Sequence, residues 1–164
     1  MRVCVGTFVQ EYKQVLDLMQ SNILDTDIAA HLRKMNDIQQ MGKDGYDATN
    51  SDHHKLMCSL LMTSCDISNT CKEWDTAKSI AEMIYREFFT QGDLEKALGG
   101  TPSEMMDHDK AFIPTQQIGF MDSIAGPVFK VLGQLLPSAS AAYTALTDNQ
   151  QRWEQLRKEG RRTH

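Results

Sequence analysis

Apolar positions recur along this chain at intervals of three, four and seven residues, and no stretch alternates apolar and polar over the length of a strand. The most regular stretch follows Asp75, a residue type suited to N-capping. It runs through Ala77, Ile80, Ala81, Ile84, Tyr85, Phe88 and Phe89 to Gly92, which offers a left-handed stop. Residues 11–24 set Tyr12, Val15, Leu16, Leu18 and Met19 on a wide apolar stripe, and residues 27–41 do the same with Ile28, His31, Leu32, Met35 and Ile38. Gly, Asp, Asn and Ser collect between 43 and 52, which predicts a loop, with Ser51 or Asp52 capping a helix over 53–66. Pro114 and Pro127 stand where helices begin, and Pro137 ends the second of these. Thr147 and Gln150 form a capping-box pattern ahead of QRWEQLRKEG, with Arg157 and Lys158 in the last turn and Gly160 after it. The pattern predicts an all-α domain of about seven to nine helices, without repeats, in which 93–114 is the one long irregular connection.

A length of 164 residues suits one domain. The net charge of -5, from 22 acidic and 17 basic residues, leaves no basic face to grip a phosphate backbone, which argues against nucleic acid as a partner. Cys4, Cys58, Cys65 and Cys71 lack CxxC spacing, and the last three lie in or just after an apolar helical run, where free cysteine behaves as a small hydrophobe. Reduced thiols point to the cytoplasm. The opening MRVCVGTFVQEY has too short an apolar run for a signal peptide, and no stretch approaches the roughly 18 apolar residues of a membrane span.

The stretch LLMTSCDISN at 60–69 carries one carboxylate, Asp66, in what reads as the buried end of a helix. A lone buried charge loses several kcal/mol of solvation unless it meets a cation, a donor or water. Zinc takes about four ligands, and the histidines are His31, His53, His54, His108 and His164. His53 and His54 lie upstream on the same predicted helix, roughly 18 Å from Asp66 at about 1.5 Å per residue, too far to share its metal. His54 with Cys58, and Asp27 with His31, are four apart and read first as local contacts, with His31 a core histidine. His108 and Asp109 in MMDHDKAF have no histidine in the next turn and carry no metal role. The chain alone supplies one plausible ligand.

Gln117, Phe120 and Ile124 are spaced at i, i+3 and i+7, one face of a helix. A glutamine amide carries a donor and an acceptor, and so matches adenine in one orientation and guanine in the other. Phe120 offers a stacking surface, and Ile84 and Phe88, one turn apart, an opposite wall. The same spacing suits core residues beside a surface amide, and periodicity does not separate the two.

Several segments bring a family with them. LLMTSCDIS, AEMIYREFFTQGDLEKALGG, MMDHDKAFIP and QQIGFMDSIAGPVF, with the earlier EYKQVLDLMQSNILDTDIAAHL, resemble the C-terminal half of the catalytic domain of class I cyclic-nucleotide phosphodiesterases. The resemblance is closest to the cGMP-stimulated class that carries GAF domains. It divides the chain into a non-matching segment 1–9, a partial catalytic domain 10–160 and a tail 161–164. It implies an all-α hydrolase of signal transduction that opens cAMP or cGMP to the 5'-nucleotide, with zinc and magnesium in the complete domain. The resemblance puts Asp66 on the family's zinc-binding aspartate and assigns Gln117, Phe120, Ile124, Ile84, Phe88, Ile67, Met105, Ile28 and His31 to the nucleotide pocket. The family's other zinc ligands and its histidine general acid belong to an upstream half. Neither HNxxH nor HDxxH occurs in this sequence. No catalytic residue is therefore assigned, and the chain alone is expected to be inactive and not to retain its metals. Helices 11–24 and 53–66, including Leu60, Leu61 and Met62, are then expected to expose apolar surface that the upstream half covers. A homodimer is compatible with this reading. Two other classes stand beside the hydrolase: a binding module that keeps the purine pocket without chemistry, and a helical interaction protein.

Overall fold

The computed structural model describes residues 3–160, with side chains from Val9 onward. Seven α-helices are present among the described residues: α1 (Val3–Leu24), α2 (Ile28–Asp44), α3 (Ser51–Asp66), α4 (Trp74–Ala97), α5 (Ile113–Phe120), α6 (Gly126–Leu135) and α7 (Ser140–Gly160), with no strand. The all-α expectation holds. The chain divides into two compact units, Met1–Asp66 and Ile67–His164, and no described helix is long and apolar enough to cross a membrane.

In the first unit the Asp27 carboxylate caps α2 by accepting from the Ala29 N–H at 2.9 Å. From there α2 buries His31, Met35, Ile38 and Met41 and packs on α3, which buries Ser59, Leu60, Thr63 and Ser64. Asn50, rather than Ser51 or Asp52, caps α3: its Oδ1 accepts from the N–H groups of Asp52 at 2.9 Å and His53 at 3.3 Å. The apolar stripe of α1 lies open, with Tyr12, Val15, Leu16, Leu18, Met19 and Ile23 between 46% and 68% exposed. Leu61 is also exposed and Met62 half-buried. Leu60 departs from the expectation, since it belongs to the inward stripe of α3 and is fully buried.

The interior of this unit is partly polar. Ser59 Oγ donates to Asp25 Oδ1 at 2.9 Å, and Lys34 Nζ reaches the same oxygen at 2.5 Å. Thr63 Oγ1 lies 3.1 Å from His31 Nδ1 and donates toward the carbonyls of Ser59 at 3.0 Å and Asp25 at 3.2 Å. Among the described residues His31 Nε2 is buried without a hydrogen-bond partner. Burial lowers the His31 pKa below its usual value and the Lys34 charge adds to this, while Asp25 opposes both. A histidine held neutral in the fold takes up its proton more readily when unfolded. Its contribution is thus fully present above about pH 6.5 and is lost as pH falls through that value toward the lower folded pKa. The urea midpoint of the chain is expected to drop between pH 7.5 and 5.5, and His31→Gln should flatten that drop.

In the second unit α4 is capped by Glu73, whose carboxylate accepts from the N–H groups of Asp75 at 3.1 Å and Thr76 at 3.4 Å, so Asp75 sits inside the first turn instead of capping it. Gly92 does not stop α4, which continues to Ala97 and ends where Gly99 takes φ +82°. The irregular connection shortens accordingly to 98–112, with a 3-10 turn at Glu104–Met106.

Pro114 and Pro127 do sit in first turns, but α5 and α6 are joined by a wide π-helical turn, Met121–Ala125. A proline lacks the N–H and crowds the carbonyl four residues back, and a wide turn relieves this. Gly126 fits the turn because a Cβ there would lie 2.8 Å from the Met121 carbonyl oxygen. The α7 helix starts at Ser140, so Thr147 is mid-helix and its hydroxyl donates to the Tyr143 carbonyl at 2.9 Å, not to a capping box. Ala81, Ile118, Met121 and Trp153 form one cluster of the core, flanked by Trp74, Ile113 and Leu156. The Trp74 and Trp153 rings meet edge to face at 5.1 Å. The buried Asn149 amide ties α7 to the turn before α4, donating to the carbonyls of Thr70 at 3.0 Å and Lys72 at 2.8 Å.

Candidate functional site

Asp66 is the last residue of α3 and is exposed, which corrects the expectation of a buried charge. By helical period it continues the Ser59–Thr63 stripe, but it lies one turn beyond, at the helix end, where water solvates the carboxylate. The other candidates for metal binding are engaged locally. His53 Nδ1 accepts from the Asp47 N–H at 3.1 Å, His54 Nε2 lies 3.8 Å from Cys58 Sγ, and the Asp27 carboxylate caps α2 while the His31 ring turns to Thr63. Among the described residues no three His, Cys, Asp or Glu side chains gather as a metal would need. The residues present therefore do not fit a zinc or magnesium centre by themselves. Cys65 is exposed, contrary to its reading as a buried hydrophobe, while Cys58 and Cys71 are half-buried. Cys4 lies outside the described side chains.

The residues assigned to a nucleotide are split between the units. Ile28, half-buried in the first turn of α2, and the buried His31 belong to the first. The second holds the other seven. Gln117 is buried on α5, which corrects its alternative reading as a surface amide, and its side-chain amide makes no hydrogen bond among the described residues. Phe120 is half-buried at the end of α5, and Ile124 is half-buried inside the wide turn. That turn adds a residue to the helical repeat, so the register between Gln117 and Ile124 is not that of a straight α-helix. On α4, which packs against α5, Ile84 is 37% exposed and Phe88 half-buried, its ring edge-on to Tyr85 at 5.8 Å. Ile67 is buried, and Met105 is 37% exposed on the 3-10 turn of the connection.

The second unit holds two cavities, of which one touches an assigned residue. A cleft of about 770 Å³ brings Phe88 together with Met106, Gln91 and Leu94. A second, of about 610 Å³, is walled by Phe89, His108, Phe112 and Trp153 with Lys78 and Glu82 at its edge, and none of the assigned nucleotide residues lines it. Periodicity overlooked the wide turn and the anchoring of 98–112 on α4. The adjacent Gly126 and Pro127 after an apolar run were the available signal for the first, and a glycine inside a helical stretch for the second. Of the assigned residues only Phe88 lines either cavity, and Gln117 lines neither; the glutamine amide itself carries the donor and the acceptor that reading the edge of a planar base requires.

A profile of the 3'5'-cyclic nucleotide phosphodiesterase family matches residues 4–146. Proteins named cGMP-specific 3',5'-cyclic phosphodiesterase from Drosophila melanogaster, Drosophila pseudoobscura pseudoobscura and Drosophila sechellia are each 34% identical to this chain over 150 residues, or 90% of it. The chain spans 13%, 14% and 12% of their respective lengths. With most of its length matched at this identity, and a helical architecture throughout, the chain belongs to the 3'5'-cyclic nucleotide phosphodiesterase family.

Proposed function

We propose that this chain is the C-terminal portion of a phosphodiesterase catalytic domain that hydrolyses cAMP or cGMP to the 5'-nucleotide, and that its own contribution is the purine-binding wall. The observation that carries the reading is Gln117, a glutamine only 6% exposed, on a helix that packs against the one bearing Ile84 and Phe88. In this reading Phe120 stacks on the base and Ile124, Ile67 and Met105 complete the apolar lining, while Ile28 and His31 are assigned to nucleotide binding by the family resemblance alone. Asp66 serves as one zinc ligand only alongside the ligands of the family's upstream half, with magnesium as the second metal. The relatives named as cGMP-specific favour cGMP as the first ligand to test. The protein acts in the cytoplasm, and a homodimer remains compatible with the open α1 stripe.

A base whose polar edge loses its amide leaves donors and acceptors unpaired, which costs about 1–3 kcal/mol. Gln117→Ala should therefore weaken cGMP binding by that amount, roughly five- to 150-fold, while leaving the far-ultraviolet circular dichroism unchanged. Calorimetry on the wild-type and variant chains checks it. Equal affinities would remove Gln117 from the site, and would favour the reading of the chain as a helical interaction module.

A further inference from the structure

Phe89, Gly92 and Lys96 are spaced at i, i+3 and i+7, so three turns of α4 present them on one face. Each receives a residue of the 98–112 connection. The His108 ring stands edge-on to Phe89 with centroids 5.1 Å apart. The Met106 carbonyl oxygen lies 2.0 Å from where a Cβ on Gly92 would stand, so any larger residue there pushes the connection away. Lys96 Nζ donates to Asp107 Oδ1 at 2.6 Å and to Asp109 Oδ2 at 3.0 Å. Asp107 is 4% exposed and organises its surroundings: Oδ1 also accepts the Asp109 N–H at 3.0 Å, and its carbonyl accepts those of Lys110 at 3.0 Å and Ala111 at 2.8 Å. The Lys96 ammonium holds the Asp107 carboxyl below the usual carboxylate range, with the Asp109 N–H adding to this.

We propose that the Phe89–Gly92–Lys96 stripe is a docking track for residues 98–112, and that Gly92, Lys96 and Asp107 are positioning residues that set cyclic-nucleotide affinity through Met105 and Met106. Met106 shares its cleft with Phe88, and Met105 precedes it on the same 3-10 turn. Lifting the connection off the track moves Met106 away from the Phe88 wall and displaces Met105 with it. The site then has to be rebuilt on binding, which lowers affinity without removing a contact to the base edge. The inference rests on the reading of Phe88 and Met105 as walls of the purine pocket.

The test uses the 164-residue chain as wild type, Lys96→Met, Asp107→Asn, Gly92→Ala and Lys96→Arg, with Gln117→Ala run beside them. Amide hydrogen exchange at Met106, Asp107, Lys110 and Ala111 is expected to speed up about tenfold in the first three variants. Amides of α7 should keep their protection, which shows the fold intact, and Lys96→Arg, which retains the charge, should restore the slow rates. Affinity for cGMP should fall about fivefold in the same variants and recover in Lys96→Arg. Unchanged exchange in both Lys96→Met and Asp107→Asn would overturn the docking track. Faster exchange with unchanged cGMP affinity, while Gln117→Ala weakens binding, would overturn the positioning role and leave the pocket standing. If Gln117→Ala has no effect, the pocket reading itself fails and the positioning role falls with it.

Discussion

Incubated with cAMP or cGMP at saturating zinc and magnesium, the 164-residue chain is expected to form no 5'-nucleotide above a buffer blank. Activating a water near neutral pH takes a metal fixed by several ligands. Asp66 is a single exposed carboxylate, and no cluster of three potential ligands exists among the described residues. His53 is committed to the Asp47 N–H and His54 neighbours Cys58, so neither is arranged to join it. A general acid is also unassigned, and lacking one typically costs about a hundred- to ten-thousand-fold in rate. Both deficits bear on the same step. Turnover that survives chelation and metal restoration, and vanishes in Asp66→Ala, would show that this chain assembles a metal centre after all.

Trp153→Ala is expected to destabilise the second unit by about 3–5 kcal/mol, a large share of the roughly 5–15 kcal/mol typical of a domain. Trp153 is 2% exposed and packs with Ala81 of α4, Ile118 of α5 and Met121 of the wide turn, while its ring meets Trp74 edge to face. Truncation opens a cavity where α4, α5 and α7 converge, so the helices carrying Phe88 and Gln117 lose their common support. Urea unfolding followed by circular dichroism reads the loss. A change under about 1 kcal/mol would mean that the site collapses around the deletion at little cost.

Helix positions were legible in the sequence because burial in an all-α fold leaves a 3.6-residue stripe: the inward residues His31, Met35, Ile38 and Met41 of α2 and Ala77, Ala81 and Tyr85 of α4 follow it. Helix ends were less legible. Gly92 has the composition of a stop, yet what it supplies is room for the Met106 carbonyl, a tertiary fact that no local window contains. Thr147 and Gln150 have the spacing of a cap, but Ser140 had already begun the helix one turn and more upstream. Asn50 lay one residue before the expected caps of α3. At the site, the spacing of Gln117 and Phe120 was visible, whereas the wide turn that shifts Ile124 arises from Gly126 and Pro127 beyond the window. The exposure of Asp66 was hidden for a similar reason. Its apolar neighbours on both sides suggest burial, but a residue at the end of a helix is covered only by what packs beyond that end.

The reading of this chain as a purine-binding wall is tested most directly by titrating the 15N-labelled chain with cGMP in chelator, following amide shifts residue by residue. The account predicts saturable shifts at Ile84, Phe88, Gln117 and Phe120 without any metal, reduced in Gln117→Ala. Shifts absent up to several millimolar, where binding free energies fall below about 4 kcal/mol, or confined to the Phe89–His108–Phe112 cavity, would contradict it.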